Sequence, residues 1–422
     1  MHERRRPRRP KSPRAPGRTT KPAARVEKPA QNEQISPKKA ISERSLQKGR
    51  PPSQKTKDAL TSTPAAPPGI LQGPATPNPV TTTAPAPAEL VAPKFPTSGP
   101  VTMVQSLVRT LHESMSADPR IVVLGEDIAK NGGVFRVTEG LFDAFGETRV
   151  IDTPLNESGI IGVAIGMAMN GLRPIAEIQF ADFVYPGFDQ IVSELSKMRY
   201  RSGGEFTCPV IVRMPYGGGI RGGGYHSQSP EAYFVHTAGL HVYVPSTPTD
   251  ARGLLRAALA GDDPVMFLEP KRNYRTIKEE LPENDGAYLP PGVARTVVEG
   301  TQCTVIAWGA MVQIATEAAA LATEKGMSVE VIDLRTLVPM DVDSILASVR
   351  KTGRAVIVHE APRTCGVGAE IAALIADGAI ESLEAPILRV TGFDTPFPYA
   401  LEHVYLPNAD RVLAAVDKAI HF

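Results

Sequence analysis

The chain has 422 residues, 42% hydrophobic and 22% charged, with a formal net charge of +1, a length that suggests two domains and an appendage. The net value hides a split: residues 1–98 hold 19 of the 40 prolines, 19 Lys or Arg, 6 acidic residues and one aromatic, Phe95, for +13, which leaves −12 on residues 99–422. No run nears the roughly 20 apolar residues of a membrane helix, Pro7, Pro10, Pro13 and Pro16 forbid the helix of a mitochondrial presequence, and Cys208, Cys303 and Cys365 offer neither a disulfide framework nor a zinc pattern, which suggests a reducing, cytoplasmic setting.

Residues 1–57 set 18 Lys or Arg against four acidic residues. Residues 58–98 are nearly uncharged and rich in Pro, Ala and Thr. Such a chain cannot bury enough apolar surface to offset its ordering entropy, so 1–98 reads as a disordered basic tail with a stiff Pro/Ala spacer. Basic tails bind nucleic acid electrostatically, but no aromatics are interleaved here for base stacking. A tethering or solubilising role is the plainer reading. Contact with an acidic protein surface, this chain's own core included, stays open.

Order is expected from near Pro100. Val104, Leu107, Val108 and Leu111 form a helical stripe that Asp118 and Pro119 end. IVVLG (121–125), RPIAEIQF (173–180) and PVIVRMP (209–215) read as buried strands separated by helical patterns, the mark of a mainly parallel sheet. The helix after DTPLNES carries Gly159, Gly162, Ala164, Gly166 and Ala168. Glycine within a helix costs up to ~1 kcal/mol relative to Ala, so close packing against a neighbour is expected there. A second α/β unit follows the Pro-rich junction at 281–292: strands at 304–309, 328–334, 354–360 and 386–392 alternate with helices around Ile314, Ile345 and Ala369. The expected domains are 99–287 and 288–422.

Chemistry is suggested at four places. GGGIRGGG (217–224) lacks the Gly-Lys-Ser/Thr ending of a phosphate loop. It fits better as a mobile or closely approached loop leading to His226, which Ser227, Gln228 and Ser229 can orient. His226 reads equally as a structural histidine or as an acid/base. Glu157 begins the small-residue helix, either stabilising its N-terminus or standing at the edge of a cleft. Glu126 and Asp127 follow the first strand, at the end where open α/β sheets bind ligands. Phe180, Phe183, Tyr185 and Phe188 form an aromatic run from which one ring could stack on a planar cofactor. The residues themselves give a two-domain α/β enzyme without naming its reaction.

Taken together, GEDIAKNGGVFRVTEGL, DTPLNESGIIGVAIGMAMNGLRPIAEIQFADF, RYRSGG, YHSQSPEAYF, VIDLRTLVP, HEAPRT and GFDTPFPY resemble the beta subunit of the decarboxylating, thiamine-diphosphate-dependent component of 2-oxo acid dehydrogenase complexes. The resemblance covers about 100–422. FLEPKRNYR and GFDTPFP look closer to the branched-chain group than to pyruvate enzymes. The fold it implies is a transketolase-like pyrimidine-binding domain followed by a transketolase C-terminal-like α/β domain. The alpha subunit's Gly-Asp-Gly and Asn-Asn signature for the diphosphate and its Mg2+ is missing, since Gly261-Asp262-Asp263 and Asp285-Gly286 do not match it. The resemblance therefore implies half an active site, completed by an alpha subunit in an alpha2beta2 heterotetramer that feeds the lipoyl domains of an acyltransferase core.

By the same resemblance, Glu157 takes the place of the carboxylate that hydrogen-bonds the cofactor's aminopyrimidine ring, and Phe183 that of the aromatic beside it. Glu126 joins them as a cofactor-binding candidate. His226 matches the histidine that assists acyl transfer to lipoyl-lysine. A K+ ion is implied at the backbone of Cys208, Val210 and Ile211 and the loop of Ala258, Gly261 and Asp263, with Gly261 replacing the Asp of some relatives. Cys365 replaces a usual glycine, and the Phe422 carboxylate falls near the surface expected to dock the acyltransferase's binding domain. Two rival classes stand beside this reading: a self-contained transketolase-like enzyme, for which 1–98 supplies no diphosphate domain, and a non-catalytic protein that binds through its basic tail.

Overall fold

The computed structural model describes residues 96, 98–282 and 289–422. The expected tail thus lies almost wholly outside the described residues, as do positions 283–288 of the junction. The strands in chain order are β1 (Val101–Thr102), β2 (Ile121–Gly125), β3 (Val150–Asp152), β4 (Arg173–Glu177), β5 (Ile211–Tyr216), β6 (His241–Tyr243), β7 (Val265–Pro270), β8 (Lys278–Glu279), β9 (Arg295–Val298), β10 (Cys303–Ala307), β11 (Val329–Asp333), β12 (Thr336–Val338), β13 (Ala355–Pro362) and β14 (Leu388–Gly392). The long helices are α1 (Met103–Ala117), α2 (Glu157–Met169), α3 (Pro248–Ala260), α4 (Met311–Glu324), α5 (Val342–Thr352), α6 (Val367–Ala379) and α7 (Ala409–Ile420). None described is long and apolar enough to cross a membrane.

Helix α1 starts at a capping box, Thr102 with Gln105, which satisfies two amides at its N-terminus. Its expected stripe is buried. The first sheet has the order β12-β6-β7-β5-β4-β2-β3. Helices cover both faces, so its central strands read as unbroken apolar runs. Leu124, Ala176 and Val212 meet Ile160, Ile161 and Ile165 of α2 on one face. Val123, Ile175 and Ile211 meet Leu107 and Leu111 of α1 and Leu254 of α3 on the other. The second sheet has the order β14-β13-β10-β11-β9. The first core continues into it through Ile306, Trp308, Ile332 and Ile357, and α4 and α7 cover its far side.

The expected boundary at 287/288 falls within 283–288, outside the described residues, and hydrogen bonds join the stretches on either side of it. Strand β12 of the second stretch pairs antiparallel with β6 of the first, Thr336 opposite Tyr243, and the Val244 amide donates to the Arg335 carbonyl at 2.8 Å. Arg295 strengthens the junction, donating to Asp250 and Asp333 at 2.9 Å each. Helix α2 packs closely at its first turn, where a Cβ on Gly187 would come 3.0 Å from the Glu157 carbonyl oxygen, and is open elsewhere: a Cβ on Gly166 would meet nothing within 4 Å, and Val163 is 52% exposed.

Three central strands share one buried ion network. Arg213 of β5 donates to Glu269 of β7 at 2.7 and 2.9 Å and to Glu177 of β4 at 2.9 Å. The Tyr274 hydroxyl adds a bond to Glu269 at 2.6 Å. Replacing Arg213 by Met would leave two carboxylates buried without their cation, so Arg213→Met is expected to lose about 3–5 kcal/mol. Urea unfolding measures this; a loss under about 1 kcal/mol would show that the network behaves like a surface pair.

Candidate active site

Parallel strands end together, and the candidate residues gather at those carboxyl ends. Glu126 follows β2 and is half-buried. Burial, then the charges of Asp127 and Glu157, push its carboxyl above the usual range. Glu157 is the first residue of α2, behind the Asn156 cap, and is 9% exposed. Among the described residues no donor reaches its carboxylate. The helix start is fastened to the 3-10 turn Tyr185–Gly187, which follows the one that carries Phe183. Ser158 Oγ donates to the Pro186 carbonyl, and Gly187 lies so close that a Cβ there would come 3.0 Å from the Glu157 carbonyl oxygen.

A single 3-10 turn, Ala181–Phe183, brings two aromatic rings to His226. Phe180 lies edge-on to the imidazole at 4.5 Å and Phe183 at 5.3 Å, and the two phenyl rings are 5.5 Å apart. The aromatic run therefore divides: Tyr185 and Phe188 turn away towards Tyr233. The structure brings Phe183 and His226 into contact, sets Glu157 beside the same turn, and places Glu126 within the field of Glu157.

The orientation of His226 differs from expectation. Its Nδ1 lies 3.2 Å from the Gly222 carbonyl oxygen. A carbonyl only accepts, so Nδ1 carries a proton and Nε2 is the nitrogen free to exchange one. Ser227 and Gln228 do not hold the ring; their backbone amides donate to the Asp182 carboxylate, each at 3.2 Å from Oδ1. Backbone N–H groups won over the hydroxyl and amide side chains because buried amides must be satisfied. Asp182 was hidden in the sequence by the aromatic run around it. Burial pushes its carboxyl up, while Lys271 and the two amides pull it down.

Behind the loop lie two buried titratable groups that no motif announced. Glu231 is 1% exposed, and among the described residues neither carboxylate oxygen has a hydrogen-bond partner; burial above all pushes it up to about 8. His359 stacks on Trp308 at 5.3 Å, and burial pushes it down to about 4. At neutral pH Glu231 holds its proton and His359 has none.

The segments expected to hold a cation also meet, since the Cys208 amide donates to the Asp262 carbonyl at 3.3 Å. Cys208, Val210, Ile211 and Ala258 are buried. Their neighbours are already engaged: the Gly261 carbonyl accepts from Arg173 at 2.7 Å, and Asp263 pairs with Arg199 at 2.6 Å.

Two family models match the chain: the transketolase pyrimidine-binding domain at residues 99–276 and the transketolase C-terminal domain at 292–412. The chain is 51% identical to the pyruvate dehydrogenase E1 component subunit beta of Leifsonia xyli over 322 residues, covering 76% of this chain and 95% of that one. It is 49% identical to the 2-oxoisovalerate dehydrogenase subunit beta of Pseudomonas aeruginosa, covering 76% and 95%. It is 51% identical to the 3-methyl-2-oxobutanoate dehydrogenase subunit beta of Mycobacterium tuberculosis, covering 76% and 92%. Among solved structures, a split-gene transketolase described as an inactive beta4 tetramer shares the fold with a TM-score of 0.63 at 24% identity, covering 76% of this chain and 99% of that one.

A prediction follows for Glu231. Its folded pKa lies above the unfolded value, so its contribution is fully present below about pH 4.5 and is lost as pH rises to about 8. Glu231→Gln removes that loss. It is expected to raise the melting temperature at about pH 8, with the gain shrinking towards pH 5. A gain that is flat across pH in thermal scans would show that Glu231 does not titrate in this window.

Proposed function

Because the chain belongs to the beta subunits of thiamine-diphosphate-dependent 2-oxo acid dehydrogenase E1 components, we propose that Glu157 serves decarboxylation and His226 the acyl transfer that follows. A beta subunit of this kind is a catalytic subunit that works with an alpha partner. When bound, thiamine diphosphate supplies the electron sink that lets a 2-oxo acid lose carbon dioxide.

The observation that carries the reading is the turn at 181–187, to which both Glu157 and His226 are tied. A buried carboxylate that no donor reaches among the described residues is fitted to receive one from an incoming ring nitrogen, and Glu157 is read as holding the aminopyrimidine in this way. Glu126, whose carboxyl burial and the charges of Asp127 and Glu157 push above the usual range, is read as standing at the same edge. Phe183 offers an apolar wall to a planar ring. His226 exposes Nε2 for proton delivery to the sulfur released when a lipoyl disulfide opens.

The finer assignments belong to the same proposal. The Mg2+ and diphosphate are held by the alpha subunit of an alpha2beta2 heterotetramer, and the acyl group goes to the lipoyl domains of an acyltransferase core. A branched-chain 2-oxo acid is preferred over pyruvate, in line with the names of two of the three relatives above. The setting is cytoplasmic, in keeping with three free cysteines.

The expected K+ site is retained in this proposal through main-chain carbonyls, each of which has a second lone pair to offer. Replacing NaCl by KCl at constant ionic strength should then raise the melting temperature of the complex. An unchanged value would mean that the Arg173 guanidinium at Gly261 leaves no place for the ion.

The division of roles is tested on the complex with two assays, decarboxylation read with an artificial electron acceptor and acylation of a lipoyl domain. Glu157→Gln should depress both. His226→Ala should lower acylation by roughly 10²–10⁴-fold with a far smaller loss of decarboxylation. Equal losses of the two steps in the His226 variant would overturn it.

A further inference from the structure

The segment 217–228, GGGIRGGGYHSQ, has few side chains with which to hold itself in place, yet it carries His226. What holds it is three carboxylates from three other segments. Glu360 of β13 accepts from the Gly218 amide at 2.8 Å. Glu402, which opens the short helix Glu402–Tyr405, accepts from the Arg221 amide at 3.1 Å. Asp182 accepts from Ser227 and Gln228 at 3.2 Å. A bond from the Gly217 amide to the Gln228 carbonyl, 2.9 Å, closes the neck.

All three carboxylates are buried, at 9% or less exposed. None has an ammonium or guanidinium within ion-pair distance among the described residues. Three buried anions on one loop repel one another and lose hydration, so a nearby cation is needed to keep them ionised. Lys271, immediately after β7, is 4% exposed; burial pushes its ammonium down to about 8, and the charges of Asp182, Glu360 and Glu402 pull it back up. Its Nζ lies 3.5 Å from the Pro215 carbonyl oxygen and 5.6 Å from the centre of the Phe180 ring that abuts His226. Arg272 also acts on Glu360, but its stem is spent against Gly219, where a Cβ would come within 3.1 Å.

We propose that Lys271 is a positioning residue: its buried ammonium keeps the three carboxylates that pin the glycine-rich loop, and thereby fixes where His226 stands. This rests on the reading of His226 as the acyl-transfer residue. Lys271 acts through the loop and touches no reacting atom. Without its charge, Asp182 and Glu360, which burial already pushes up, take up protons or draw in water, and the amides they hold are released.

The test uses the whole alpha2beta2 complex with Lys271→Met, Lys271→Arg and Glu402→Gln, and hydrogen exchange of the backbone read by mass spectrometry. Lys271→Met should speed exchange across 217–228 by about tenfold or more while β2 keeps its protection. Lys271→Arg should retain most of the parent's protection. Lipoyl acylation should fall about tenfold or more in the Met variant, chiefly through kcat, and decarboxylation much less. Glu402→Gln, which removes one pin only, should loosen the loop at Arg221 and covers the case in which the Met variant fails to assemble. Unchanged exchange over 217–228 in an assembled Lys271→Met complex, or at Arg221 in Glu402→Gln, would overturn the proposal. Faster exchange with acylation intact would instead keep the pinning and remove the assigned role of His226.

Discussion

Arg213 stands between two carboxylates on neighbouring strands, and the site hangs from the strand ends that this guanidinium ties together. Glu177 closes β4, Glu269 lies one residue from the end of β7, and both pair with Arg213 on β5 between them. The turn with Phe180 and Phe183 leaves from the first of these strands, Lys271 follows the last, and the glycine loop leaves from the middle one. A buried ion pair of this kind is weak as a source of net stability. Its value here is register. A shift of β5 against either neighbour would leave a charge unpaired in the core, so the three departures stay fixed relative to one another.

From that frame the uneven surface of the molecule makes physical sense. Among the described residues Glu157 has no donor, Val163 and Gly166 of α2 face outward, and Tyr225 and Tyr233 are 78% and 53% exposed. Aromatic and apolar groups beside a buried carboxylate are a costly combination to leave against water. Such a face is what the proposed sharing of the active site with an alpha partner would require.

The legible parts of the sequence were those governed by local period. Strands covered on both faces gave continuous apolar runs such as IVVLG, and α1 gave its stripe at Val104, Leu107, Val108 and Leu111. Glu157, His226 and the aromatic run with Phe183 stood out from the residues, and their roles came through the resemblance of the surrounding motifs. Contacts made at long range were not legible. Three residues of β12 are too few to show a period, and their partner lies about 90 residues earlier. Glu360 and Glu402 read as ordinary acids in HEAPRT and ALEHV, since nothing nearby shows that their oxygens reach the glycine loop. Ser227 and Gln228 misled for a related reason: side chains are visible in a sequence, whereas the amides that bond Asp182 are common to every residue.

The glycines at 217–224 left two readings open, mobility or close approach, and the contacts favour the second. A Cβ on Gly217 would fall 2.9 Å from a Glu360 oxygen, one on Gly218 2.8 Å from the Phe397 ring, and one on Gly222 2.7 Å from the His226 Cβ. At these three positions a neighbour occupies the space of the missing side chain. Gly222 matters most, because it both makes room for His226 and supplies the carbonyl that fixes its tautomer. Backbone this bare can be placed only through its amides, and amides are best held by buried anions. Anions in turn need a cation that is itself kept from water, which is the environment of Lys271. The chain of dependence runs from the end of β7 through Lys271 and three carboxylates to a single imidazole.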